Sequence, residues 1–124
     1  MNADIALWVL QVLTALLFGG HGFLLLTRPE RMAERVPWVR ALPRAFVRLL
    51  GVLEILGAIG VVIPALTGVL PSLTVAAAGG LVAMMLLAIL FHVTRREWRN
   101  IGLNLVLGAL AFGVAYGRLV IQPF

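Results

Sequence analysis

Residues 45–66 read Ala45-Phe46-Val47-Arg48-Leu49-Leu50-Gly51-Val52-Leu53-Glu54-Ile55-Leu56-Gly57-Ala58-Ile59-Gly60-Val61-Val62-Ile63-Pro64-Ala65-Leu66. As a helix rising ~1.5 Å per residue, this run crosses a hydrocarbon core of ~30 Å. Three more runs of similar length flank it, at Ile5–Leu26, Leu73–Val93 and Ile101–Val120. Membrane strands would be near ten residues long with strict alternation, which none of these shows. Helices satisfy their own backbone hydrogen bonds in lipid. The expected fold is an all-α integral membrane four-helix bundle, with residues 1–124 forming one domain.

Composition supports the same solvent. Hydrophobic residues make up 62% of the chain and charged residues 12%, against about half and about a quarter in a soluble domain. A soluble fold of 124 residues could not hide that much apolar surface, so lipid covers it. The chain has no cysteine, which removes disulfides, thiolate catalysis, iron–sulfur clusters and thiolate zinc sites. The N-terminal Met1-Asn2-Ala3-Asp4 lacks the basic segment of a cleavable signal, so the first run is expected to stay as a span.

The net charge is +5 and all ten basic residues are Arg. A nucleic-acid partner is not expected, because the arginines gather in short stretches between apolar runs. The connection 27–44 holds Arg28, Arg31, Arg35, Arg40 and Arg44. The connection 94–100 holds Arg95, Arg96 and Arg99, while 67–72 holds no charge. The positive-inside rule places both Arg-rich loops in the cytoplasm and both termini outside, as for a multi-pass protein of a prokaryotic inner membrane. Arg118, near the outer end of the fourth run, is the dissenting charge.

The first connection carries helix signals. Thr27 with Glu30 resembles a capping box, Pro29 suits a first helical turn, and Met32 and Val36 share a face that Pro37 should end. Trp38 and Leu42 can lie at headgroup level, making a short interfacial segment; a solvated tether is the alternative. Trp8, Trp38, Trp98 and Tyr116 fall where anchoring belts are expected. Glycine and alanine recur inside every run, permitting the close backbone approach on which helix packing in lipid depends. Such faces serve packing within one chain or a homo-oligomer.

The polar residues within the runs carry the functional signal. Glu54 is near mid-membrane, where a charge costs roughly 2.5–3.5 kcal/mol on insertion scales. It shares a face with Gly51 and Ala58 and is expected to point into the bundle. A ligand or proton site and a polar pin that fixes helix register both fit. His21 lies in the same half of the membrane, within reach of Glu54, and its flanking glycines leave room around the imidazole. Asn104 sits at the same level on the fourth run, where an interhelical hydrogen bond is the simpler reading. Arg48 could snorkel to the headgroups or reach a carboxylate. His92 is expected at the interface. These residues match no HExxH or paired-carboxylate metal motif, and no metal is expected.

Three stretches resemble the DoxX-like family of small membrane proteins. They are Phe18-Gly19-Gly20-His21-Gly22 with Leu26-Thr27-Arg28-Pro29; Pro43 with Arg48-Leu49-Leu50-Gly51-Val52-Leu53-Glu54-Ile55-Leu56-Gly57-Ala58; and Arg95-Arg96-Glu97 with Asn100-Ile101 and Asn104-Leu105. Leu25 stands where members often carry Lys. The resemblance implies four membrane helices. The family takes its name from a subunit of a thiosulfate:quinone oxidoreductase, which suggests a redox-associated subunit binding a quinone or similar apolar ligand. His21, Glu54, Asn104 and Arg48 are the candidate ligand-binding residues, with a membrane redox protein as the candidate partner. Catalysis by this chain alone is not expected. A small proton-coupled transporter and a structural or assembly protein remain as alternatives.

Overall fold

The computed structural model describes residues 2–124. Asn2 opens the first helix, α1 (Ala3–Thr27): its side chain accepts a hydrogen bond from the Ile5 amide at 2.9 Å, satisfying one of the donors that a helix start leaves free. Two short helices follow, α2 (Pro29–Arg35) and α3 (Pro37–Ala41), then α4 (Arg44–Thr67), α5 (Leu73–Thr94) and α6 (Trp98–Tyr116). A π-helical turn at Gly117–Ile121 continues α6. α1, α4, α5 and the α6 region are long and apolar enough to cross a membrane. The chain folds as a bundle in which α1 packs on α4, α4 on α5, α5 on α6, and α6 back on α1. The two Arg-rich loops lie at one end, and both termini and the 68–72 turn at the other.

Polarity is inverted relative to a water-soluble protein. Leu16, Leu56, Leu87 and Leu105 are all more than half exposed, whereas Gln11, Thr14, Glu54, Thr74, His92, Asn104 and Arg118 are buried. Only an apolar solvent favours that arrangement, because each buried polar group needs a partner that lipid cannot supply. The protein is a multi-pass membrane protein.

α1 and α4 meet backbone to backbone at a pair of glycines. A Cβ built on Gly51 would stand 2.6 Å from the Gly22 carbonyl oxygen and 2.8 Å from the Leu26 nitrogen; one on Gly22 would stand 2.7 Å from the Gly51 carbonyl oxygen. Backbone therefore touches backbone, and neither position has room for a side chain. Gly20 faces open space, so of the two glycines flanking His21, Gly22 makes the contact and Gly20 only leaves room. α4 meets α5 differently, through α5 side chains seated on α4 glycines, Leu81 on Gly57 and Ala77 on Gly60.

The first connection corrects one expectation. Thr27 does not open α2 through a capping box. It is the last residue of α1, and its hydroxyl donates back to the Phe23 carbonyl at 2.7 Å. Arg28 caps both helices and α2 has no side-chain cap. Pro29 does occupy the first turn, and Pro37 ends one short helix by starting another, with extended Val36 between them. This segment is no solvated tether. Ala33 and Val39 join Leu25 and Val47 in a small core, with Met32, Val36, Trp38 and Leu42 packed around it.

Arg118 is not a loop charge. The turn that closes with the Gln122 amide donating to Gly117 at 2.8 Å aims its side chain inward, where it is 2% exposed. Its Nε donates to Gln11 Oε1 and its Nη1 to Asp4 Oδ1, both at 2.7 Å. Gln11 in turn donates to the Val61 carbonyl at 2.7 Å. The guanidinium also lies over the rings of Phe124 and Trp8, at 4.5 and 5.6 Å. One side chain thus ties the end of the chain to α1 and, through Gln11, to α4.

Two outcomes follow for stability. Gly51→Ala should destabilise the protein by about 1–3 kcal/mol, the usual result of overpacking a site that cannot relax. Arg118→Ala leaves the buried Gln11 amide short of a partner, which should remove about 1–3 kcal/mol. Thermal unfolding in detergent micelles reads both, and an unchanged melting temperature would contradict the packing assigned to that residue.

Candidate functional site

The α1–α4 contact sets two polar side chains face to face. His21 precedes Gly22 on α1, and Glu54 lies one turn after Gly51 on α4. With the backbones touching, His21 Nδ1 stands 2.9 Å from both carboxylate oxygens of Glu54. One proton shared between imidazole and carboxylate satisfies this contact, whichever group carries it. The Glu54 side chain is 3% exposed and that of His21 34%. The carboxylate is therefore buried against the imidazole, and the partly exposed His21 borders the space beyond.

That space is a cavity of about 730 Å³. α4 and α5 touch at Gly57 and Gly60, and the wedge between them toward the Arg-rich end stays open. Leu50, Leu53 and Glu54 form the α4 wall; Leu81, Met85 and His92 the α5 wall; Leu103, Asn104 and Leu107 the α6 wall. α1 adds His21 and Leu25, and α3 adds Trp38 across the end. The lining is almost wholly apolar, with a few polar groups gathered at one end, and the volume falls within the usual range for a small-molecule pocket. Leu53, Leu56, Leu87 and Leu103 line it while remaining highly exposed, so the cavity meets the lipid-facing surface.

Of the residues singled out in the sequence, the fold brings His21, Glu54 and Asn104 to this cavity. Asn104 is 8% exposed, and its amide nitrogen is buried without a hydrogen-bond partner. The interhelical hydrogen bond expected of it is therefore not made through that atom. Arg48 lies off the cavity lining. It is half exposed and its guanidinium is 3.6 Å from Glu30, so it meets a carboxylate of α2 while Glu54 is held by His21.

Two residues that the sequence suggests for the interface line the cavity. His92 is 4% exposed, and its Nδ1 stands 3.0 Å from Glu97 Oε1. Trp38 packs between the histidines, its ring centre 6.4 Å from that of His21 and 5.9 Å from that of His92. The signal in the sequence was the His92…Glu97 spacing across a helix end, where a chain reversal folds the carboxylate back on the ring. Arg96, in the left-handed region at φ 57°, makes that reversal. Gln11 was not singled out either, though its place inside an apolar run marks it as Glu54's does.

Glu97 lies in the loop outside the spans. Burial alone would raise its pKa, but hydrogen bonds from His92 and Arg95, and the positive charge of Arg95, outweigh that and hold it below the usual carboxylate range. A carboxylate stabilised in this way contributes stability above its unfolded pKa and loses it as pH falls through the lowered folded value. The stability difference between the native protein and Glu97→Gln should therefore close as pH drops through that window. Thermal unfolding over descending pH checks this, and a pH-independent difference would rule it out.

No curated protein and no solved structure matches this chain. The model of the DoxX-like family matches residues 9–114, a stretch that takes in His21, Glu54, His92 and Asn104, and the chain belongs to the DoxX-like family.

Proposed function

We propose that this protein holds an apolar ligand with a planar, oxygen-bearing headgroup of the quinone type, and does so as the ligand-binding subunit of a membrane redox system. The observation that carries the reading is a buried carboxylate paired to one imidazole at the wall of a cavity that is otherwise apolar. An intramembrane carboxylate is a functional site by default. A pure register pin would need no cavity beside it. The apolar wedge suits an isoprenoid-like tail, its lipid-facing leucines offer entry from the bilayer, and Trp38 gives a flat surface for a ring. His21 and Asn104 supply hydrogen bonds to the headgroup. A histidine backed by a carboxylate exchanges protons readily as a bound ring changes oxidation state. The electrons belong to a partner subunit. In this reading the Arg-rich loops face the cytoplasm, and the polar end of the cavity lies on that side.

Native mass spectrometry with lipid extraction, on protein purified gently from its own membranes, tests this. A stoichiometric quinone or similar apolar molecule is expected. Losing a hydrogen bond that involves a charged group weakens binding roughly tenfold to a hundredfold, so Glu54→Gln and His21→Ala should lose most of it. Empty protein would overturn the reading. Proton-coupled flux in proteoliposomes, abolished by Glu54→Gln, would instead assign a small transporter.

A further inference from the structure

The His92–Glu97 pair repeats, on the opposite wall of the cavity, the chemistry of His21–Glu54. In each, Nδ1 of an imidazole meets a carboxylate, at 2.9 Å for His21 and 3.0 Å for His92. In each, the histidine lines the cavity. Trp38 lies between the two rings. The pairs differ in what stands behind them. Glu54 is enclosed by the bundle, whereas Glu97 belongs to the loop and also accepts from Arg95 Nε at 2.8 Å. The Arg95 side chain is 35% exposed, so this second pair reaches from the cavity to the surface at the Arg-rich end.

An ionised carboxylate fixes the tautomer of the histidine bonded to it. Glu97, held below the usual carboxylate range, accepts the Nδ1 proton of His92. When neutral, an imidazole bonded in this way keeps its free lone pair on Nε2, a hydrogen-bond acceptor and a base. His92 Nε2 makes no hydrogen bond among the described residues, so its capacity is free for a ligand. A quinone offers only acceptors to such a nitrogen. A hydroquinone offers an O–H.

We infer that His92, positioned by Glu97, is a second ligand-contacting base of the cavity, and that the cavity selects the hydroxylated, reduced form of its ring ligand over the oxidised form. The inference rests on the ligand-binding reading above and deepens it. The proton step it allows is simple. The ligand O–H bond breaks and the proton joins His92 Nε2. The Nδ1 proton passes to the Glu97 carboxylate, which exchanges it with water, and the negative charge stays on the ligand oxygen. His21 and Glu54 hold the other side of the ring but have no such outlet.

Trp38 supplies the readout. In a Trp8→Phe, Trp98→Phe background it is the only tryptophan, and a ring bound beside it should quench its fluorescence. The protein in lipid nanodiscs is titrated anaerobically with a decyl-tailed hydroquinone and, separately, with the corresponding quinone. Tighter binding of the hydroquinone is expected. His92→Gln and Glu97→Gln should each reduce that preference by about tenfold, the equivalent of one hydrogen bond, while quinone affinity changes little. General damage to the fold would weaken both ligands together and leave their ratio intact. Binding of both with an unchanged ratio in the two variants would overturn the role of His92 and leave the ligand-binding reading standing. No quenching by either probe would overturn the ligand-binding reading itself.

Discussion

The contact of the Gly22 and Gly51 backbones is the constraint on which the rest of the molecule depends. Lipid gives helices no hydrophobic reason to associate, so close packing must hold them. Here two glycines let the α1 and α4 backbones touch. The same contact decides which polar groups meet: with α1 and α4 at this distance, His21 reaches both oxygens of Glu54. A side chain at Gly22 would collide with the Gly51 carbonyl oxygen and with Glu54 Cβ, so it would bear directly on the pair. A packing device and a chemical one therefore share two residues.

The connection across the Arg-rich end depends on the same contact from the other side. Leu25 and Val47, each near the crossing, form the floor on which Ala33 and Val39 pack. That docking carries Trp38 over the end of the cavity. Had the first connection been a solvated strand of arginines, the cavity would open directly onto the headgroups and the two histidines would have no ring between them. The short helices exist because Pro29 and Pro37 each start one, and they are held because their apolar faces find a buried partner.

The number, length and order of the spans were legible, because four apolar runs of helix-spanning length parted by short polar or turn-forming connections have only one reading. The helices overrun those limits by a few residues, since helical geometry continues past the edge of an apolar run. Glu54 was legible as inward-facing, and His21 as its neighbour, because both lie in the same half of the membrane and small residues mark the contact. Trp38 and His92 were not, because an aromatic residue near the end of a span signals an interface belt equally well, and only the docked helix α3 and the reversal at Arg96 turn them inward. The fate of Arg118 was hidden for a similar reason. An arginine near the outer end of the run Ile101–Val120 gives no sign that a π-helical turn will rotate its side chain onto Asp4 and Gln11 from the far end of the sequence.

The two ends of the bundle use buried polarity differently. At the end that carries the termini, Arg118, Gln11 and Asp4 bond to one another and to the Val61 carbonyl, and the guanidinium is flanked by two aromatic rings. Such a cluster adds rigidity by tying helices together. At the Arg-rich end, each histidine uses one nitrogen on a carboxylate and keeps the other, and Asn104 has an amide nitrogen with no partner. Burying polar groups with capacity unspent costs stability; Thr74 and Arg118 each leave one atom unpartnered at the end that carries the termini, whereas at the Arg-rich end the spare capacity borders an apolar cavity. A bundle built only to be stable would have closed the wedge between α4 and α5 with one more leucine. Keeping it open beside His21, His92 and Asn104 makes sense if a ligand completes them.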